Sequence, residues 1–312
     1  MNTGRLARSL SINPRVQAAL DRTEPVVAIE STVIAHGLPQ PHGVGLAFEL
    51  EERIAERGAV PATIGIVDGR PTIGLTRDEI ALLASSPHVR KVSPRDLPIV
   101  TGARLNGATT VAGTMVLADR AGIKVLATGG IGGVHLGAER TMDISADLPA
   151  LASVPMVVVC SGPKTLVDAA RTLEWLETHG VPVLGYRTSE LPRFYTRESD
   201  LSVNYRVESA DEVASVAISS WQLGLPSAVL VTVPAPLDQA LDAGEVDEAV
   251  EAALAEAASS GIRGQQVTPF VLARLRELTG DKALSTNLAL LRSNAEVAAE
   301  VSVAIARRLH SA

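Results

Sequence analysis

Three segments carry residues whose types and spacing suit covalent chemistry on a small molecule. The first is AIESTVIAHGLPQPHG, Ala28–Gly43. The apolar run Val26–Ile29 reads as a buried strand that leads straight into a carboxylate, Glu30, followed by Ser31 and Thr32. Open α/β sheets place their ligands beyond the carboxyl ends of strands. Glu30 is therefore a candidate general acid whose pKa burial would raise. The plain alternative is a solvated strand-end glutamate that caps the following loop. His36 and His42 flank the Gly/Pro-rich loop and read as structural.

The second segment is MVVVCSGPKTLVDAARTLEWL, Met156–Leu176. Pro163 suits the first turn of a helix, which predicts a helix over Lys164–His179 with Lys164 where the backbone dipole is positive. A cation is disfavoured there, so the lysine pKa is expected to fall. A depressed pKa is what turns an ordinary ammonium into a nucleophilic, Schiff-base-forming amine. The chain has 28 Lys and Arg residues, and only Lys91, Lys124, Lys164 and Lys282 are lysines. With surface charge carried mainly by arginine, each lysine invites the question of whether an amine is needed, although a solvated ammonium is the ordinary reading of any one. Cys160 ends an apolar strand without an adjacent histidine and reads as core.

The third is ATGGIGGVHLGAERTMDISADL, Ala127–Leu148. Its glycines let backbone approach a ligand and expose N–H groups to an anion, but the spacing matches neither the dinucleotide fingerprint nor a Walker loop. If the D-I-S-A-D stretch is extended, Asp143, Ser145 and Asp147 share one side and offer oxygen ligands to a hard divalent cation. The competing reading is a turn in which Asp147 caps the helix from Leu148 onward. A further group, Lys91 in VRKVSPRDLP with Thr109 and Thr110 at a helix start, suits a phosphate or is an exposed loop with caps.

These residues need a scaffold. Apolar runs at Val26–Ile29, Thr63–Val67, Ile123–Ala127, Met156–Cys160, Val183–Gly185 and Ala228–Val233 read as strands covered on both faces. Helical patterns at Gly43–Arg57, Thr109–Ala121, Lys164–His179 and Asp211–Gln222 alternate with them, which predicts a layered α/β sheet. Leu237–Ser259, Thr268–Leu278 and Asn287–Leu309 read as additional C-terminal helices. With no linker or repeat, residues 1–312 read as one catalytic domain whose first ~20 residues are an extension or helix. The chain is 46% hydrophobic and 20% charged with a net charge of −7. That excludes wholesale disorder and argues against a nucleic-acid surface. No run is long enough for a membrane span, no signal-peptide core opens the chain, and a single cysteine excludes a disulfide framework. A soluble, cytoplasmic protein is expected.

Taken together, AIESTVIAHGLP, KVSPRDLP, NGATTVAGTM, IKVLATGGIGGVHLGAERTMDISADL, VVCSGPKTLVD, THGVPVLGY, TPFVLARLRELT and STNLALLRSNA resemble the pseudouridine-5′-phosphate glycosidase family, also described through indigoidine synthase A-like proteins. The likeness runs from about Glu24 to Ala295, in the family's order; Pro94 is a departure in a loop. It implies a three-layer α/β/α fold with a large central mixed sheet, and a homotrimer. It also implies reversible cleavage of pseudouridine 5′-phosphate with water to uracil and ribose 5-phosphate. On the resemblance, Lys164 is the nucleophile and Glu30 the proton donor. Asp143 is the ligand of a divalent ion, Mn²⁺, one per subunit. Lys91, Val111, Ser145, Ala146 and Asp147 are substrate-binding positions, and His135 and Asn287 are pocket residues. The leaving atom would be uracil C5, which has no lone pair to protonate, so paired carboxylates alone do not suffice and an amine must hold C1′.

Two other readings are open to the same residues. An aldolase-like lyase on a sugar phosphate would share Lys164 and an anion site but need no pocket for uracil. A non-catalytic phosphosugar-binding protein would need neither Lys164 nor Glu30 for ligand binding.

Overall fold

A computed structural model describes residues 10–38, 42–262 and 267–311; the first nine residues of the expected N-terminal extension lie outside them. Among the described residues the strands are β1 (Ser11–Ile12), β2 (Val26–Ile29), β3 (Val60–Val67), β4 (Arg70–Ile73), β5 (Arg90–Val92), β6 (Gly107–Thr109), β7 (Val125–Ala127), β8 (Val134–His135), β9 (Val157–Cys160), β10 (Val167–Asp168), β11 (Val183–Tyr186), β12 (Tyr205–Val207) and β13 (Val229–Thr232). The α-helices are α1 (Pro14–Asp21), α2 (His42–Glu56), α3 (Arg77–Ser85), α4 (Leu97–Gly102), α5 (Val111–Ala121), α6 (Ala138–Thr141), α7 (Asp147–Ser153), α8 (Ala169–Thr178), α9 (Ala210–Gln222), α10 (Ala243–Ser259), α11 (Val267–Thr279) and α12 (Asp281–His310).

One large sheet runs in the order β1-β4-β3-β2-β7-β9-β13-β11-β12, with β6 beside β3 and β5 beside β6. From β3 across to β12 the neighbours are parallel, whereas β4 and β6 run antiparallel to β3. β8 and β10 form a separate antiparallel pair. Side chains alternate across each strand, and the alternation builds two cores. Val27, Ile29, Val125, Ala127, Val157, Val159 and Val231 pack with α2, α9, α10, α11 and α12 on one face. Ala28, Leu126, Val158, Cys160 and Leu230 pack with α1, α5, α7 and α8 on the other. The result is the expected three-layer α/β/α arrangement with a mixed sheet. α12 crosses its face antiparallel to the strands. Leu291 lies over Gly129 at the end of β7, and the Ser302 hydroxyl donates to the carbonyl of Val26 at the start of β2.

Several expected boundaries move, for local reasons. Lys164 is not in a helical first turn. After β9 the chain makes the short strand β10 against β8, and α8 begins only at Ala169, where the Asp168 carboxylate accepts the Arg171 N–H as cap. Such a cap contributes about 0.5–2 kcal/mol and selects the start. Leu237 lies in a turn and is 79% exposed; α10 starts at Ala243 because Asp242 caps the Glu245 N–H. Thr109 belongs to β6, and Thr110 is the N-cap of α5, accepting from the Gly113 N–H.

Candidate active site

The sheet order places β2, β7 and β9 side by side and parallel, so Glu30, Thr128 and Ser161 leave the same edge of the sheet as neighbours. Glu30 is 3% exposed. Its Oε1 accepts from the Thr128 hydroxyl at 2.5 Å and its Oε2 from the Thr32 hydroxyl. A hydroxyl donates to a carboxylate and accepts from a carboxylic acid, so these partners hold the Glu30 carboxyl plane in either proton state. The solvated-cap reading of Glu30 does not survive this burial.

The loops beyond β7 and β9 are laced together by backbone. Ser161 N–H donates to Gly129 O at 2.8 Å, Ile131 N–H to Gly162 O at 3.1 Å and Lys164 N–H to Ile131 O at 2.9 Å. Lys164, of intermediate exposure, is therefore positioned by irregular backbone that is hydrogen-bonded to the neighbouring loop. Gly162 has φ +83°, and a Cβ there would strike the Pro192 carbonyl, so the turn that delivers Lys164 requires glycine. The dipole argument for an activated Lys164 loses its helix. Around Lys164 the structure gathers a cluster of charges. Lys91 lies within electrostatic reach of Lys164, Asp147 and Glu30.

Lys91 reaches this cluster from β5, whose register sets it opposite Ala108 of β6. Its surface stays exposed while protein surrounds it at longer range. That surrounding protein desolvates the ammonium and holds its pKa below the usual lysine value; the positive charge of Lys164 adds to the effect, while Asp147 and Glu30 oppose it. His36, which sequence reasoning set aside as structural, is also drawn in. Desolvation and then the charge of Lys91 hold its imidazole below the usual histidine value.

The Asp143–Asp147 stretch departs from expectation. It is extended only through Ser145: Ile144 bridges Val134, and the Ser145 N–H donates to Gly133 O. It then turns at Ala146, which is exposed, and Asp147 opens α7. Asp143, Ser145 and Asp147 therefore do not form one ligand face. Asp147, 6% exposed, does not cap Leu148 onward. Its Oδ1 accepts the Ala112 N–H at 3.0 Å in the first turn of α5, and its Oδ2 the Gly132 N–H at 2.8 Å. An anion at a helix N-terminus is favourable, and this one ties the glycine loop to α5. With Gly113 N–H taken by Thr110 and Ala112 N–H by Asp147, the first-turn donor left at the site is the N–H of Val111, whose side chain is buried. Between Gly129 and Gly133 the glycine loop packs closely on protein, where a Cβ on Gly132 would collide with Ser145, whereas Gly137 stands open.

His135 lies on β8 opposite Val167, three residues past Lys164, and its N–H donates to Asp143 O at 3.0 Å. Asn287, buried, lies on α12 one turn before Leu290 and Leu291, which cover Gly129. Sequence reasoning missed Thr128 and Asn294. Both stand in quoted segments, ATGG and RSNA, and the end of an apolar strand is the one signal that marks Thr128. Cys160 behaves as core: complete burial pushes its thiol up to about 12.

For the Mn²⁺ that the resemblance implies, the donor set does not fit a protein-built cage. No group of three or more His, Cys, Asp or Glu side chains converges among the described residues, and Asp143 is exposed. A lone carboxylate of this kind suits only an ion that keeps most of its waters.

Known proteins match this chain over nearly its full length. The family model described as indigoidine synthase A like protein matches residues 15–304. A protein of Caldanaerobacter subterraneus subsp. tengcongensis named pseudouridine-5′-phosphate glycosidase is 50% identical over 95% of this chain and 96% of its own. An Escherichia coli protein of that name is 50% identical over 94% of each. Among solved structures, prealnumycin C-glycosynthase in complex with ribulose 5-phosphate superposes with a TM-score of 0.91 at 39% identity, covering 97% of this chain and 99% of that one. A Thermotoga maritima indigoidine synthase A-like protein gives 0.87 at 36%, covering 96% and 98%. No helix among the described residues is long and apolar enough to cross a membrane. A shared fold, shared length and half-identical sequence place the chain in the indigoidine synthase A-like family.

Proposed function

We propose that the protein is an enzyme that reversibly cleaves the C–C glycosidic bond of pseudouridine 5′-phosphate with water, yielding uracil and ribose 5-phosphate. The observation that carries the proposal is that Glu30 and Lys164 leave the same edge of the sheet, beyond β2 and β9 with β7 between them, Glu30 tied to the β7 loop through Thr128 and Lys164 through backbone hydrogen bonds, with Lys91 close enough to feel both.

Lys164 Nζ, as the neutral amine, attacks C1′. The C1′–O4′ bond breaks, opening the ribose; Glu30 gives O4′ its proton and takes back the one that the attacking nitrogen sheds, which leaves a neutral secondary amine on C1′ and Glu30 protonated again. The C1′–C5 bond then breaks, its electron pair remaining on uracil C5, where a proton from Glu30 is received. The nitrogen lone pair forms the C=N bond to Lys164. Water adds to this imine, releasing ribose 5-phosphate and the free amine. General acid help of this sort contributes typically ~10²–10⁴-fold. The Thr32 and Thr128 hydroxyls keep Glu30 oriented as it gives up and regains its proton. Lys91 and the Val111 N–H suit the phosphate, with Ser145–Asp147, His135 and Asn287 around the substrate. Asp143 would hold a hydrated Mn²⁺ through its single carboxylate, and none of the bond changes above is routed through it. The homotrimer and the cytoplasmic location implied by the resemblance belong to the same proposal, and light scattering on the purified protein tests the trimer.

The test is incubation of purified protein with uracil, ribose 5-phosphate and Mn²⁺. A new nucleotide that appears only when uracil is present, with Lys164→Ala inactive but still binding substrate, is the expected result. Borohydride trapping on Lys164 without uracil-dependent synthesis would instead indicate a lyase acting on the sugar phosphate alone.

A further inference from the structure

We infer that Asn294, on the C-terminal helix α12, is a positioning residue that locks the loop carrying Lys164 to the loop that orients Glu30. The inference rests on the function proposed above and extends it to a residue outside the reacting set.

Asn294 is 0% exposed, so every polar atom of its amide must find a partner inside the protein. Its Nδ2 donates to Thr128 O at 2.8 Å and lies 3.4 Å from Gly129 O. The same amide meets Ser161, whose hydroxyl donates to Oδ1 at 3.2 Å and lies 3.1 Å from Nδ2. Carbonyl oxygens only accept, so the two carbonyls of the β7 loop dictate which end of the amide faces them, and Oδ1 is turned to Ser161. One side chain thereby spans both loops. Thr128 is the residue whose hydroxyl holds Glu30 Oε1, and Ser161 begins the turn that ends at Lys164.

The anchor itself is rigid. Leu290 and Leu291 pack on Gly129 from the preceding turn of α12. Two residues on from Asn294, the Glu296 carboxylate pairs with Arg53 of α2 and with Arg57 just past its end. An apolar residue at 294 would pack against the same leucines but leave the Thr128 carbonyl and the Ser161 hydroxyl unpaired. The helix serves as a fixed post from which the spacing of acid and amine is set. Reactions between pre-oriented groups are steep in geometry, with a displacement of about 1 Å able to cost ~10²-fold.

The experiment measures kcat and KM for cleavage of pseudouridine 5′-phosphate, together with thermal midpoint and the yield of borohydride-trapped Lys164 per folded subunit. It compares wild type with Asn294→Ala, Asn294→Asp and Ser161→Ala. Asn294→Asp keeps volume and the Oδ1 acceptor while removing the donor to Thr128 O. Expected is a fall in kcat per folded enzyme of ~30–100-fold for the Asn294 variants and ~10-fold for Ser161→Ala, with KM within about threefold, because orientation rather than binding is lost. Trapping at Lys164 should slow in step with kcat. A kcat per folded enzyme within about threefold of wild type in either Asn294 variant overturns the inference, leaving a purely structural asparagine. Should neither Asn294 variant fold, the kcat of Ser161→Ala decides by the same criterion. A wild-type enzyme without turnover overturns the functional reading and this inference together, whereas an active wild type with unaffected variants overturns this inference alone.

Discussion

The Thr128 hydroxyl donates to Oε1 of Glu30 across 98 positions of sequence. β2 and β7 are neighbours in the sheet, so the residue after one strand finds the residue after the other. The contact fixes the orientation of a buried carboxyl group at a strand end.

Replacing Thr128 by Val keeps the shape and removes that donor. Removing one partner of a buried polar group costs ~1–3 kcal/mol, so a lower thermal midpoint is expected. kcat should fall by about tenfold or more with KM little changed, and Thr128→Ser should restore most of it. Steady-state kinetics and melts on the three proteins check this. A Thr128→Val enzyme with native kcat would show that Glu30 needs no such partner.

Asp147 is expected to matter for stability as much as for substrate. In Asp147→Asn, one carboxylate oxygen becomes an NH₂ that must face either the Ala112 or the Gly132 N–H, a donor against a donor. A loss of about 1–3 kcal/mol is predicted, read as a lower urea midpoint at unchanged m-value. An Asp147→Asn protein as stable as wild type would mean that the two amides find other acceptors.

The pH profile should report Lys91. Its pKa lies below the ordinary lysine value, through desolvation and the charge of Lys164. As pH rises, Lys91 therefore loses its proton, and with it its attraction for phosphate, sooner than a free lysine would. kcat/KM, which follows free-enzyme groups, should accordingly fall on an alkaline limb that begins below the usual lysine range. Lys91→Arg keeps its charge throughout and should move that limb to higher pH. A limb unmoved in Lys91→Arg would assign it to another group.

Asp143 separates metal from fold. Because it is exposed, Asp143→Ala should change stability by no more than ~0.5 kcal/mol while raising the Mn²⁺ concentration needed for half-maximal activity. EDTA should abolish wild-type turnover and added Mn²⁺ restore it. Turnover unchanged in EDTA would remove the metal from the account.

Much of this site was visible residue by residue. Glu30 stands out as a charge at the end of an apolar strand, and Lys164 as an amine in an arginine-using chain that follows another such strand. The strands themselves were recognisable because β2, β7, β9, β11 and β13 are covered on both faces and so read as unbroken apolar runs. Short strands such as β5, β6 and β10 carry no such run. Their existence depends on partners elsewhere in the chain, and β10 in particular displaced the helix start expected at Lys164.

Local sequence thus settled which residue types were available and where buried strands begin and end, because hydrophobic period and capping are properties of neighbours along the chain. Which strand ends meet, that Asp147 serves α5 rather than its own helix, and that an asparagine far down the chain joins Thr128 to Ser161 were decided by tertiary structure alone. Those contacts satisfy buried donors and acceptors with partners up to 166 residues away, and no local pattern records which distant group will answer a buried polar atom.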